Sequence, residues 1–122
     1  MEKKKILIVD NERDILTLLG KRLSTRGFSV MTAENGSDAI NLAKSKRPDL
    51  IILDIMMPEM DGAEVSARLQ EDSKTSSIPI IFLTCLFTKK EEREKGHIVG
   101  GRVFIAKPYR IEELLKEVES LL

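Results

Sequence analysis

The sequence predicts an α/β domain: an open, doubly wound parallel sheet of five strands flanked by five helices. Two observations carry the prediction. Four short runs, at residues 6–9 (ILIV), 50–53 (LIIL), 78–83 (IPIIFL) and 103–106 (VFIA), are apolar throughout rather than alternating. That is the pattern of strands covered on both faces. Between the runs lie segments whose apolar residues recur at helical spacing, and strand-helix alternation of this kind points to parallel strands joined by right-handed crossovers. A chain of 122 residues is the length of one domain, residues 1–122, able to bury roughly two-thirds of its unfolded surface.

Taken in order, residues 6–9 are the first strand, and Ile15, Leu18, Leu19 and Leu23 stripe the first helix, with Gly27 suited to its end. Residues 28–33 (FSVMTA) are less apolar and read as an edge strand. Ala39, Ile40, Leu42 and Ala43 mark the second helix, closed at Arg47-Pro48 because the residue before proline is pushed out of helical geometry. Residues 50–53 form the third strand, and Ala63, Val65, Ala67 and Leu69 the third helix. After the fourth strand, residues 88–99 form a fourth helix of poor pattern: residues 89–95 are all charged, a solvated face, and Gly96, Gly100 and Gly101 break its end. Pro108 precedes a fifth helix striped by Ile111, Leu114, Leu115, Val118, Leu121 and Leu122.

Composition narrows the function. Hydrophobic residues make up 42% and charged residues 33%, so the chain has material for a core. Twenty Lys and Arg balance twenty Asp and Glu, which removes the electrostatic argument for binding nucleic acid or an anionic membrane as the main activity. The lone Cys85 forms no intrachain disulfide and reads as a buried small residue rather than a nucleophile. His97 reads as a surface residue. The apolar run after Lys3-Lys4-Lys5 is too short for a signal peptide, and no stretch approaches a membrane span, so the expected location is the cytoplasm.

Doubly wound sheets bind ligands at the carboxyl ends of their strands. The residues leaving those ends are Asp10-Asn11-Glu12, Asp54, Thr84 and Lys107-Pro108, which gather carboxylates, a hydroxyl and an ammonium on one edge. Carboxylates with a backbone oxygen suit a hard cation such as Mg2+. A carboxylate can also accept a phosphoryl group as an aspartyl-phosphate, with metal, lysine and hydroxyl neutralising the transferring oxygens. Taken singly, Asp10 or Asp54 is an ordinary turn or cap residue, and Glu12 a helix opener; the combination favours a reaction site.

Val9-Asp10-Asn11-Glu12, Leu53-Asp54-Ile55-Met56-Met57-Pro58 with Met60-Asp61-Gly62, Leu83-Thr84 and Lys107-Pro108-Tyr109 together resemble the receiver domain of bacterial two-component response regulators, the CheY-like superfamily. The resemblance spans essentially the whole chain. It implies a flavodoxin-like sheet of order 2-1-3-4-5, Asp54 as phosphoacceptor, and Mg2+ held by Asp10, Asp54 and the backbone carbonyl of Met56. Asn11 would contribute weakly or through water, Thr84 would be the switch hydroxyl, Lys107 the phosphate-binding ammonium and Phe104 the switch aromatic. The implied partners are a sensor histidine kinase or phosphotransfer protein, and a downstream protein at the face of the fourth helix, fifth strand and fifth helix. No nucleic-acid contact or membrane is expected within this chain, and it would catalyse only its own phosphorylation and dephosphorylation.

The chain departs from the family at Asn11, where a second acid is usual, and at Cys85, where a small residue is usual. Two residues past Asp54 and Thr84 stand Met56 and Leu86, neither able to hydrogen-bond a water as an amide or carboxylate could, so a long-lived phosphorylated form is expected. Two rival readings are a degenerate interaction domain independent of phosphorylation, suggested by Asn11, and a flavin-binding electron carrier. The second is disfavoured because Asp-Asn-Glu, not a Ser/Thr/Gly loop, follows the first strand.

Overall fold

The alternation within each apolar run decides which layer each side chain enters. In β1 (Lys5–Val9), Ile6 and Ile8 point into one buried cluster and Leu7 and Val9 into another on the opposite face. The same division splits Leu50 and Ile52 from Ile51 and Leu53 in β3 (Leu50–Asp54), and Ile81 and Leu83 from Phe82 in β4 (Ile80–Thr84). Both faces are covered, which is why these strands read as continuous apolar runs. A computed structural model describes residues 3–57, 60–84, 98–99 and 102–122.

The sheet order is β2-β1-β3-β4-β6-β5, where β2 is Ser29–Ala33, β5 is Ile98–Val99 and β6 is Arg102–Ala106. Its first five members are all parallel and follow the expected order 2-1-3-4-5. β5 is an addition: it pairs antiparallel with β6 on the outer edge, Ile98 opposite Val103 and Val99 opposite Arg102. This corrects the reading of residues 88–99 as one helix, since its last two residues are extended. The rest of that segment, with Cys85, Leu86 and His97, lies outside the described residues.

Helices α1 (Arg13–Thr25) and α4 (Ile111–Leu121) cover one face of the sheet, and α2 (Gly36–Lys46) and α3 (Gly62–Glu71) cover the other. α1 buries Leu16, Leu19 and Leu23, and beyond it Gly27 takes a φ of +93°, a left-handed conformation that glycine adopts without steric penalty. Leu18, placed in the apolar stripe by spacing, is exposed instead. α2 ends at Arg47, also left-handed, immediately before Pro48. At its start the Asn35 side chain accepts from the Asp38 N–H at 2.8 Å, satisfying one of the donors a helix end leaves open. Among the described residues no helix is long and apolar enough to cross a membrane.

Candidate functional site

The parallel register delivers the site. Val9 lies beside Leu53, Asp54 beside Leu83, and Thr84 beside Ala106, so β1, β3, β4 and β6 end side by side. The residues that follow emerge along one edge: Asp10 after β1, Asp54 closing β3, Thr84 closing β4 and Lys107 after β6. Two backbone bonds extend the ladder there, from the Ile55 N–H to the Leu83 carbonyl at 3.1 Å and from the Lys107 N–H to the Thr84 carbonyl at 2.9 Å.

Asp10 and Asp54 keep only 2% and 4% of their surface, although each is a carboxylate. Lys107 Nζ stands 3.4 Å from Asp54 Oδ1 and 3.9 Å from Asp10 Oδ2. Each acid also accepts from the backbone N–H two residues on: Glu12 N to Asp10 Oδ1 at 2.9 Å, and Met56 N to Asp54 Oδ1 at 3.2 Å. Among the described residues Asp10 Oδ2 is buried without a hydrogen-bond partner. Burial pushes the Asp10 carboxyl above its ordinary range, with Asp54 adding to the rise, while the Glu12 N–H and Lys107 pull the other way.

Thr84 is buried at the next strand end. Phe104 lies in β6 below the site, half-buried, its ring stacked on Phe82 with centroids 5.0 Å apart and planes 19° from parallel. Asn11 is exposed in the turn before α1, and Glu12 is the residue that opens that helix. Of the methionines after Asp54, Met56 is 53% exposed, Met57 is buried at 8% in the core, and Met60 is half-buried.

Two residues carry more than the sequence assigned them. A Cβ on Gly62 would meet the Asp54 carbonyl oxygen at 2.7 Å and the Ile55 Cα at 2.8 Å, so only glycine lets α3 start against the backbone that carries Asp54. Asp61 caps that helix by accepting from the Glu64 N–H at 2.9 Å. In the sequence Gly62 is one residue of the loop after Asp54; its contact with Asp54, eight residues earlier, has no local signal. Tyr109 is packed against the core beside the site, and burial, then Asp10 and Asp54, push its phenol up to about 12. An aromatic two residues past Lys107 was its only signal.

Residues 6–119 match the response regulator receiver domain. The chain belongs to this family. The protein PilH of Pseudomonas aeruginosa is 38% identical to this receiver domain over 120 residues, covering 97% of either chain. The alkaline phosphatase synthesis regulator PhoP of Bacillus subtilis is 39% identical over 98% of this chain but 48% of its own length. The receiver domain thus spans about half the length of several curated relatives it matches. Among solved structures, the chemotaxis response regulator CheY4 of Vibrio cholerae has a TM-score of 0.84 and 33% identity, covering 99% of this chain and all of CheY4. The receiver domain of the sensor histidine kinase PA1611 of Pseudomonas aeruginosa has a TM-score of 0.83 and 25% identity over 98% of each chain, and it was solved with magnesium in its active-site cleft. This chain is accordingly a signalling module rather than a metabolic enzyme.

Proposed function

We propose that this receiver domain accepts a phosphoryl group on Asp54 from a sensor histidine kinase or phosphotransfer protein, in a Mg2+-dependent reaction, and thereby switches its affinity for a downstream protein. The observation that carries the reading is the pair of buried carboxylates, brought from separate strand ends to one ammonium, with 3.4 Å and 3.9 Å contacts. Membership of the family and the magnesium in the cleft of PA1611 support it.

The donor set fits a hard divalent cation. Asp10 Oδ2 is buried and lacks a donor among the described residues, which is costly unless a cation supplies the missing interaction. Asp10, Asp54 and the Met56 carbonyl would hold the ion; Asn11 offers an amide oxygen where an acid would add charge. Among the described residues no three Asp, Glu, His or Cys side chains form a ready-made cage, in keeping with an ion that retains several waters. When bound, Mg2+ supplies positive charge to the phosphoryl oxygens.

The chain's own groups do the rest. Asp54 Oδ1 is held by the Met56 N–H and faced by Lys107, which leaves the second oxygen to attack phosphorus. As the O–P bond forms, the bond from phosphorus to the donor's nitrogen breaks and its electron pair returns to the imidazole. Lys107 would neutralise charge on the transferred group, and the hydroxyl of Thr84, the residue that closes the neighbouring strand, would donate to it. Movement of Thr84 towards the phosphoryl group would open space for Phe104, whose position is set by its stack on Phe82. The downstream partner would read that change on the face that includes β6 and α4. Incubation with Mg2+ and acetyl phosphate, followed by intact mass, tests the reading: one phosphoryl group should be gained by the wild type and none by Asp54→Asn. Equal gain in both would overturn it.

A further inference from the structure

The methionines of this chain differ sharply in their access to solvent. Met31 and Met60 are half-buried in the cluster on the α2 and α3 face, and Met57 is buried in it. Met60 packs against Gly36, where an added Cβ would fall 2.8 Å from its sulfur. Met56 alone among the described methionines is exposed, at 53%, and it is one of only three exposed large hydrophobic residues among those described. Its position is fixed by function-bearing neighbours, because its N–H donates to Asp54 Oδ1 at 3.2 Å. An exposed methionine therefore follows a buried carboxylate by two residues and is tied to it through its backbone N–H.

We propose that Met56 is an oxidation site through which a peroxide tunes the lifetime of the phosphoryl group on Asp54. The kinetic half of this rests on the Asp54 reading above. In the chemical step a sulfur lone pair attacks one peroxide oxygen, the O–O bond breaks and an S–O bond forms. The other oxygen leaves as water after a proton transfer. Sulfur loses two electrons and the peroxide gains them, and a thiol-dependent sulfoxide reductase can reverse the change. The product replaces an apolar group that sheds water with a strong hydrogen-bond acceptor on the same stem. Hydrolysis of an aspartyl-phosphate needs a water held in line with phosphorus. A thioether cannot orient that water, and a sulfoxide oxygen can.

The experiment uses the full chain carrying Cys85→Ala, so that only methionine sulfur reacts, with limiting hydrogen peroxide. Peptide mass mapping of the unphosphorylated protein should find Met56 oxidised well ahead of Met31, Met57 and Met60; oxidation of any of these first overturns the site. Oxidised and untreated proteins are then loaded from acetyl phosphate and followed by mass after the donor is removed, with Mg2+ constant. Decay should be about 5-fold faster after oxidation, the effect of one positioned hydrogen bond. Met56→Gln should show the faster decay without peroxide, and decay in Met56→Leu should not respond to peroxide. Unchanged or slower decay of the oxidised protein, or a peroxide response that persists in Met56→Leu, overturns the coupling. A protein that takes up no phosphoryl group in either state removes the Asp54 reading and the coupling together, while the oxidation map stands or falls on its own.

Discussion

Asp10 and Asp54 are built alike and finished differently. Each is a buried aspartate at a strand end, and each takes one hydrogen bond from the backbone two residues on. At the Asp54 corner Lys107 is near enough to act on the same oxygen that Met56 holds, at 3.4 Å. At the Asp10 corner the ammonium is 3.9 Å away, the second oxygen has no hydrogen bond among the described residues, and the next residue is a neutral, exposed amide. On the proposed reading, the difference would suit Asp54 to attack beside Lys107 and Asp10 to bring uncompensated charge to a cation that both acids hold. One side chain type would serve both roles because its surroundings differ.

The widest separation between the two corners is in phosphoryl uptake. Asp54→Asn should abolish it, because the attacking oxygen is gone, whereas Asp10→Asn should leave the acceptor in place and slow uptake by on the order of 100-fold, as loss of one charge-stabilising group does. Initial rates of mass gain from acetyl phosphate with saturating Mg2+ measure both. Comparable residual rates in the two variants would erase the distinction. The next largest effect tests the backbone under Asp54. Gly62→Ala should destabilise the fold by about 2 kcal/mol, since the contacts at 2.7 Å and 2.8 Å are to backbone that cannot swing aside, and the better helix propensity of alanine offsets only part. The shift in denaturant midpoint at constant slope reads this.

Smaller effects sharpen each corner separately. Met56→Asn should speed loss of the phosphoryl group by about 10-fold if one oriented water contributes about 1.4 kcal/mol to the transition state. The test is decay of the phosphorylated mass, and unchanged decay would place control of water elsewhere. Asn11→Asp should tighten Mg2+ by about 5-fold, the added charge being partly offset by repulsion from Asp10. Calorimetric titration that shows no gain would remove Asn11 from the cation's surroundings.

Much of this was legible in the sequence, for a physical reason: strands covered on both faces leave unbroken apolar runs, and the polar residue that ends each run marks a strand end. Asp10, Asp54, Thr84 and Lys107 were found that way, and the sheet order followed from the family resemblance. What escaped depends on distant backbone. Gly62 looks like half of a turn, and its closeness to the Asp54 carbonyl arises only when α3 docks. Leu18 shares its helix stripe with buried residues yet faces out, because the apolar stripe is wider than the face the sheet covers. Gly100-Gly101 reads as a helix breaker, but two glycines between Ile98-Val99 and Arg102-Val103 are equally a hairpin signal, and β5 pairs with β6 across them. Tyr109 was visible as an aromatic and not as a neighbour of two acids.

The smallest effect concerns stability, and its sign follows from the unfinished state of Asp10. Burial raises the carboxyl above its ordinary value near 3.8, so the folded protein resists ionising a group that the unfolded chain ionises freely. Below the ordinary value both states hold the proton and Asp10 costs nothing. As pH rises through the raised value, the unfolded chain has already released its proton and the fold loses stability relative to it. Asp10→Asn carries no ionisable group and escapes this loss, so without metal it should be more stable than the wild type at pH 7, by about 1 kcal/mol or less given the Glu12 and Lys107 contacts. The advantage should shrink as pH falls towards 4. Addition of Mg2+ should reverse the order, because the wild type then gains binding free energy that the variant largely lacks. Thermal or denaturant unfolding at pH 7 and pH 4, with and without Mg2+, gives the four values needed. A variant less stable than the wild type in metal-free buffer at pH 7 would mean that Lys107 already satisfies Asp10, leaving the two corners electrostatically alike.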